Sequence, residues 1–422
     1  MNLARLSKVF LAAILCLSAA CGARKPDSGG KIVLRYLDEP DVAGTAKEII
    51  RKFEEANPGI RVEMVEGPSA TNTREDLYAT SFLSGQDTYD VVFMDIAWLA
   101  KFAGQNWLRP LDDFFTPQMR SEFLPGDIQG SQYQGKIYRL PAFSDGGMLY
   151  YRKDLLQKAG VAPPETFSDL VRIARKIQDP PKLWGFVFQG AQYEGLVCDV
   201  LECIWGNGGD LLGADGTVKL DSPEAIAAVR WMVEAIHKNK ISPPGVLTYQ
   251  EEESRHLFQE GKAVFMRNWP YAWELLQKDG SPVKGKVGIT PMVHGRGKKS
   301  AATLGGWGYG ISSLSRHPEA AWKFIHFAAS PEIQKLRYFR TGRIPSRKSL
   351  YRDPEIIKAS PHITALYKVL LAARPRPVNA SYARISDTVQ LYVSAALSQR
   401  ETPEKAMQSA AKEIREFLSR QQ

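Results

Sequence analysis

The sequence predicts an α/β protein of two lobes. Three observations carry this: short apolar runs of strand length alternate with amphipathic helical stretches, the alternation starts afresh in the second half, and about 390 residues follow the N-terminal segment, more than a single core usually serves.

The N-terminal segment is a secretory signal over residues 1–20. Arg5 and Lys8 form its basic region, Val9 to Leu17 an apolar run too short to span a bilayer, and Ser18-Ala19-Ala20-Cys21 a small-residue cleavage site. A cysteine directly after small residues resembles a bacterial lipobox, which implies that Cys21 is acylated and becomes the new N-terminus. Ser18 stands where that motif usually has leucine, so ordinary cleavage without a lipid is the alternative. Residues 21–30, rich in Lys, Pro, Asp, Ser and Gly, read as anchor and flexible tether. The chain is therefore expected to be exported and lipid-anchored, on the outer face of the cytoplasmic membrane or in the periplasm.

Beyond the tether, Ile32 to Leu37 reads as a strand. Ala46, Ile49, Ile50 and Phe53 mark one face of a helix that stops at Asn57-Pro58-Gly59, and Arg61 to Val65 alternates as the next strand. Tyr89 to Asp95 is a nearly continuous apolar run, the pattern of a strand buried on both faces, and a helix follows from Trp98 to Gly104. This alternation points to a parallel sheet. In the second half, helices are expected near Thr166 to Gln178, Pro223 to Lys238 and Tyr249 to Glu260, with a strand at Gly261 to Met266. Gln134 to Phe143 and Thr303 to Ile311 look extended, and strands crossing there between lobes would supply a hinge. Pro403 to Arg420 places Met407, Ala410, Ala411, Ile414, Phe417 and Leu418 on one helical face, which packs rather than spans.

Composition excludes several functions. The net charge of +9 falls to +7 when Arg5 and Lys8 leave with the signal, and the basic residues are scattered apart from short pieces such as Gly295-Arg296-Gly297-Lys298-Lys299, which argues against nucleic-acid binding. Of four cysteines, Cys16 leaves with the signal and Cys21 is the anchor; Cys198 and Cys203, five apart on a helical segment, point in different directions and read as buried free thiols. The six histidines are scattered and no cysteine spacing suits zinc or iron–sulfur, so neither metal nor cofactor is expected. No G-x-S-x-G elbow, P-loop or dinucleotide fingerprint is present, and Gly306-x-Gly308-x-Gly310 has the wrong spacing for one.

A ligand in such a body sits outside the carboxyl ends of strands, in the cleft between lobes. Asp95 stands at such an end. Nine tryptophans are available for stacking, two of them in loop-like settings: Trp269 in Arg267-Asn268-Trp269-Pro270-Tyr271, and Trp307 in Gly305-Gly306-Trp307-Gly308, where glycines would leave its faces free for a ligand. Flat aromatic faces beside hydroxyl donors and acceptors suit a pyranose ring. The structural alternative for each tryptophan is capping a core edge.

These blocks carry a family resemblance. Phe93-Met94-Asp95-Ile96-Ala97-Trp98-Leu99, Leu149-Tyr150-Tyr151-Arg152-Lys153-Asp154-Leu155-Leu156, Trp184 to Asp199, Arg267 to Trp273, Ser281 to Gly288 and Lys299 to Trp307 together resemble the trehalose/maltose-binding proteins of ABC importers, within the class that includes maltodextrin-binding protein. The resemblance runs from about Ile32 to the C-terminal helix. It implies a two-lobed periplasmic-binding-protein fold with a crossing-strand hinge, an N-lobe of 31–141 plus 306–345 and a C-lobe of 142–305 plus 346–422. It also implies that Asp95 and Asp145 accept from vicinal hydroxyls, Arg74 donates to a hydroxyl pair, and Trp307 stacks on a ring. Trp269, Tyr271 and Gly306 join the candidate set. Alternatives stand beside these roles: Asp95 as a helix N-cap, Asp145 as a turn residue, Arg74 as a solvated helix charge.

The chain also departs from that family. Arg343, in Thr341-Gly342-Arg343-Ile344-Pro345, replaces a tryptophan, so a five-donor fork stands where a stacking platform is usual. Phe143 replaces a tyrosine. Both changes turn the expectation from maltose toward trehalose or another short α-glucoside. Arg376, in Arg374-Pro375-Arg376-Pro377, matches a family arginine near the cleft and could equally brace the lobe interface. The expected function is capture of a disaccharide or short oligosaccharide by cleft closure, and delivery by a monomer to permease subunits and their ATPase. The same fold holding glycerol-3-phosphate or another non-sugar solute is the alternative, and a glycoside hydrolase with two acids across the cleft the minor one.

Overall fold

The computed structural model describes residues 30–68, 71–213 and 215–420; the expected signal peptide, Cys21 and the expected tether up to residue 29 lie outside them. Strand Ile32–Asp38 pairs in parallel with Ile60–Glu66, Ile32 opposite Ile60. Helix Thr45–Ala56 connects them and buries Ile49 and Phe53 against the strands, as its apolar spacing requires. Val91–Asp95 is buried along all but its last residue. Between it and Ile32–Asp38 sits the hydroxyl of Tyr78, from helix Thr71–Leu83. That oxygen accepts from the Leu37 N–H at 3.0 Å and the Phe93 N–H at 3.1 Å, and donates to the Leu37 carbonyl at 2.7 Å.

Two long strands cross the molecule. Leu140–Gly146 is followed after Gly147 alone by Met148–Arg152, so the chain leaves one sheet and enters another almost without a loop. Ala302–Ser312 returns beside it, antiparallel, with Trp307 opposite Phe143 on one side and opposite Asp95 on the other. The prediction of a parallel sheet is therefore corrected. Ile32–Asp38 with Ile60–Glu66, Ala263–Asn268 with Trp184–Val187, and Ala302–Ser312 with Ala373–Pro375 run parallel, but the two crossing strands are antiparallel to each other, Ala302–Ser312 is antiparallel to Val91–Asp95, and Met148–Arg152 is antiparallel to Ala263–Asn268 and Val287–Thr290. A chain that goes out through one crossing and comes back through the next must run both ways in the shared sheet.

Three apolar clusters follow. One draws on residues between Leu34 and Phe143 and between Trp307 and Ile333. A second draws on residues between Leu149 and Ala301 and between Ile385 and Ile414. The third, with Ile96, Met148, Leu304 and Ala373, packs around the crossing. Helix Phe167–Ile177 opens on a capping box of Thr166 and Asp169, and Pro223–His237, Glu251–Gln259 and Pro403–Ser419 lie where periodicity expects them. The last buries Met407, Ala410, Ala411 and Ile414 while Phe417 and Leu418 stay half-exposed. Cys198 and Cys203 are buried and unpaired on helix Glu194–Gly206. Among the described residues no helix is long and apolar enough to cross a membrane.

Candidate functional site

A cleft of about 680 Å³ opens between the carboxyl end of Ile32–Asp38 and the start of helix Glu251–Gln259. Asp38 and Glu39 come to it directly from the strand end. Burial, reinforced by the neighbouring Glu39 charge, pushes the Asp38 carboxyl up to about 7 against the pull of Arg337 and Arg74. Glu39 accepts from Arg343 Nη2 at 2.9 Å, and the same guanidinium lies 4.7 Å over the Phe143 ring. Arg343 and Phe143 thus form one wall, with a carboxylate fixed at its edge.

Behind this wall, Arg74 is 2% exposed, so it is not a solvated helix charge. Its guanidinium stacks 4.3 Å over Trp307, its Nη1 lies 3.8 Å from Asp38 and 3.7 Å from Glu39, and its Nε and Nη1 make no hydrogen bond within the protein. Trp307 is 8% exposed, with Phe93 and Trp98 each 5.2 Å away between ring centroids. The neighbouring glycines do not leave its faces free. They let the crossing strands close: Gly306 has φ +109°, and a Cβ there would lie 2.5 Å from the Phe143 carbonyl oxygen.

Asp95 combines capping with pairing. Its Oδ1 accepts from the Ala97 N–H at 2.8 Å, starting the turn Ile96–Trp98 that leads into helix Leu99–Gly104, and from Arg376 Nη2 at 3.0 Å. Arg376 reaches on to Glu194 Oε1 at 2.8 Å, and Glu194 is further held by the Tyr382 and Ser386 hydroxyls. Arg376 therefore braces Val91–Asp95 to helix Glu194–Gly206. Asp145, opposite Gly305 on the crossing strands, is no turn residue, and burial pushes its carboxyl up to about 7 although Arg343 opposes the shift.

The opposite wall is Tyr271, Glu251 and Glu252. The Tyr271 hydroxyl donates to Glu252 Oε1 at 2.6 Å, and Trp269 Nε1 donates to Glu251 Oε1 at 3.4 Å. Trp269 stacks on the Arg267 guanidinium at 4.2 Å and remains partly exposed. Of the residues expected from the sequence, Phe143, Tyr271 and Arg343 line the cleft itself; Trp307 and Gly306 lie against Phe143, Arg74 stacks on Trp307, and Asp95 pairs with Arg376. Sequence reasoning missed Asp38, Glu39, Glu251, Glu252 and Arg337. The carboxyl-end rule that singled out Asp95 applies equally to Asp38-Glu39 and would have found them.

Comparison with known proteins agrees with this architecture. The family model described as bacterial extracellular solute-binding protein matches residues 38–335. A probable ABC transporter-binding protein of Deinococcus radiodurans is 35% identical over 361 residues, covering 83% of this chain and 85% of the relative. The maltose-bound MalE3 of T. maritima superposes with TM-score 0.84 at 43% identity, covering 92% of this chain and all of that one. An ABC transporter solute-binding protein of Thermotoga lettingae bound with α-D-tagatose superposes with TM-score 0.80 at 25% identity, again over 92% and all of the two chains.

Proposed function

Because the chain belongs to the bacterial extracellular solute-binding proteins, we propose that it captures a disaccharide or short oligosaccharide, trehalose or a related α-glucoside, and hands it to the permease of an ABC importer. The observation that carries the reading is the cleft itself. Carboxylates are fixed by arginine and tyrosine donors on both walls, Glu39 by Arg343 and Glu252 by Tyr271, so acceptors for sugar hydroxyls are held in place before the ligand arrives. Phe143 and Tyr271 offer apolar faces beside them, and Trp269 stands next to that wall with its Nε1 donating to Glu251. A relative with maltose bound at 43% identity supports a disaccharide and returns maltose to the candidates, despite Arg343 and Phe143. A phosphorylated solute would meet Arg343, but also Asp38, Glu39, Glu251 and Glu252 in the same cleft, a like-charge cost that the sugar avoids.

Delivery follows from closure. Lobes of 31–141 plus 306–345 and of 142–305 plus 346–422 rotate about the crossing strands, and a ligand favours the closed form only through its greater affinity for it. Acylation of Cys21 keeps the protein at the outer face of the membrane, where it meets permease and ATPase subunits as a monomer. Calorimetric titration of protein beginning at Gly22 with trehalose, maltose, sucrose, glucose and glycerol-3-phosphate tests the reading. Micromolar or tighter binding of a disaccharide supports it, and binding of glycerol-3-phosphate alone overturns it. Metabolic labelling with a palmitate analogue, lost in Cys21→Ser, tests the anchor.

A further inference from the structure

Behind Trp269 lies a charge cluster that the binding reading does not use. Arg267 is 0% exposed; its Nε and Nη2 donate to Glu202 Oε2 at 2.9 Å and Oε1 at 2.6 Å, its Nη1 to Gln189 Oε1 at 3.0 Å, and its Nε lies 2.9 Å from Asp199 Oδ1. Glu202 and Asp199 are equally buried. Two connections leave the cluster. One runs to the crossing strands: Glu202 Oε1 accepts from the Thr303 N–H at 3.0 Å, and a Cβ on Gly147 would run into Glu202 Oε1 and Arg267 Nη2. The other runs toward the cleft, through the guanidinium face stacked 4.2 Å from the Trp269 ring, whose Nε1 donates to the lining residue Glu251 and whose edge abuts Gly305 of the crossing strand.

A buried ion pair is a poor source of net stability, because desolvation offsets most of its attraction, so replacement by apolar side chains would hold this core at least as well. What apolar residues cannot do is hold a planar cation at a fixed angle under an indole while a partner carboxylate accepts from the Thr303 amide of the crossing strand. We propose that Arg267, oriented by Glu202 and Gln189, is a positioning residue for sugar binding: it fixes the Trp269 ring as a stacking platform and registers that platform to the two crossing strands. The proposal rests on the reading of the cleft as a sugar site that extends to Trp269, the ring bonded to the lining residue Glu251. Arg267 touches no ligand. Its role is to remove, before binding, the freedom of a ring that would otherwise have to be ordered by the ligand.

Arg267→Lys is the discriminating change, since it keeps the charge for Glu202 and Asp199 but removes the planar stack. Calorimetry with the disaccharide that binds best is run on the unaltered protein, Arg267→Lys, Trp269→Ala and the double variant. The proposal expects Arg267→Lys to weaken binding about tenfold, to change the tryptophan emission and its response to sugar, and to have no further effect on affinity when Trp269 is already alanine. Equal losses in both backgrounds, or unchanged affinity in Arg267→Lys, overturn it. Should the lysine variant fail to fold, Gln189→Leu loosens the same guanidinium while sparing the Glu202 pair, and it must show the same Trp269-dependent loss at smaller size; an additive loss overturns the proposal equally. Failure of the unaltered protein to bind any sugar sinks the cleft reading itself, a result distinct from normal binding with additive variants.

Discussion

Gly306→Ala tests how closely the two crossing strands pack. A Cβ there lies 2.5 Å from the Phe143 carbonyl oxygen and 3.0 Å from Ser144 Cα, both backbone of the other crossing strand, which cannot swing aside as a side chain would. Gly285 is the matched control: its φ is also positive, +75°, but nothing lies within 4 Å of its Cβ position. Alanine at 285 therefore measures the backbone cost alone, about 1 kcal/mol. At 306, where φ is +109°, that cost adds to the forced separation of two paired strands, for a total of about 3 kcal/mol or more. Urea unfolding followed by circular dichroism compares the two variants, with sugar titration alongside. The expected result is a much lower midpoint for Gly306→Ala, and affinity reduced about tenfold because Trp307 and Phe143, opposite each other in the ladder, shift together. Equal midpoints for the two alanine variants would show that the crossing strands yield without cost, and the description of them as a close-packed pair would have to be abandoned.

Trp307→Ala should lower stability by about 3–5 kcal/mol, since it empties a ring-sized space beside Phe93 and Trp98, so its effect on binding must be read at matched folded fractions. Tyr271→Phe, by contrast, removes only the hydroxyl bonded to Glu252; denaturation should register about 1 kcal/mol or less, while calorimetry finds affinity down severalfold. Asp38, Asp127 and Asp145 each have a carboxyl pushed up to about 7 by burial, well above its unfolded value. The folded state thus holds more protons between about pH 4 and 7, and their contribution to stability, full below that window, is lost as pH rises through 7. Melts from pH 4 to 8 should show this decline, with a shallower slope in Asp145→Asn; an unchanged slope argues against a buried, uncharged Asp145. Arg376→Met cuts the Asp95–Glu194 brace at a cost of about 2 kcal/mol, less than for a fully buried pair because Glu194 keeps 29% of its side chain exposed. Thermal melts of Arg376→Met, Asp95→Asn and their combination should be non-additive.

Much of the fold was legible because its signals are local. Apolar runs at 32–38, 60–66 and 91–95, and caps such as Thr166 with Asp169, act within a few residues and leave their pattern in the chain. Strand direction at the crossing was not legible, because it depends on a return strand far along the sequence and on Gly147 alone separating two strands. The site divides in the same way. Asp95 could be placed from its strand end, and its capping role from the turn after it. Arg74 could not, since nothing near it in sequence announces a buried guanidinium over Trp307. The glycines around Trp307 were informative but pointed to the wrong cause: they mark the close approach of Leu140–Gly146, a partner invisible from their own segment. Arg267 stood inside a recognised block, yet its carboxylates lie on a helix more than sixty residues earlier.

The Tyr78 hydroxyl has a consequence for how the first sheet opens. Where two neighbouring strands share a backbone ladder, each amide is released by its own broken rung. Here the Leu37 and Phe93 amides share a single acceptor, an oxygen delivered by a third element, helix Thr71–Leu83. Withdrawing that one side chain frees both amides at once. In deuterated water the two sites exchange as one, at a rate set by the docking of the helix rather than by the fraying of either strand.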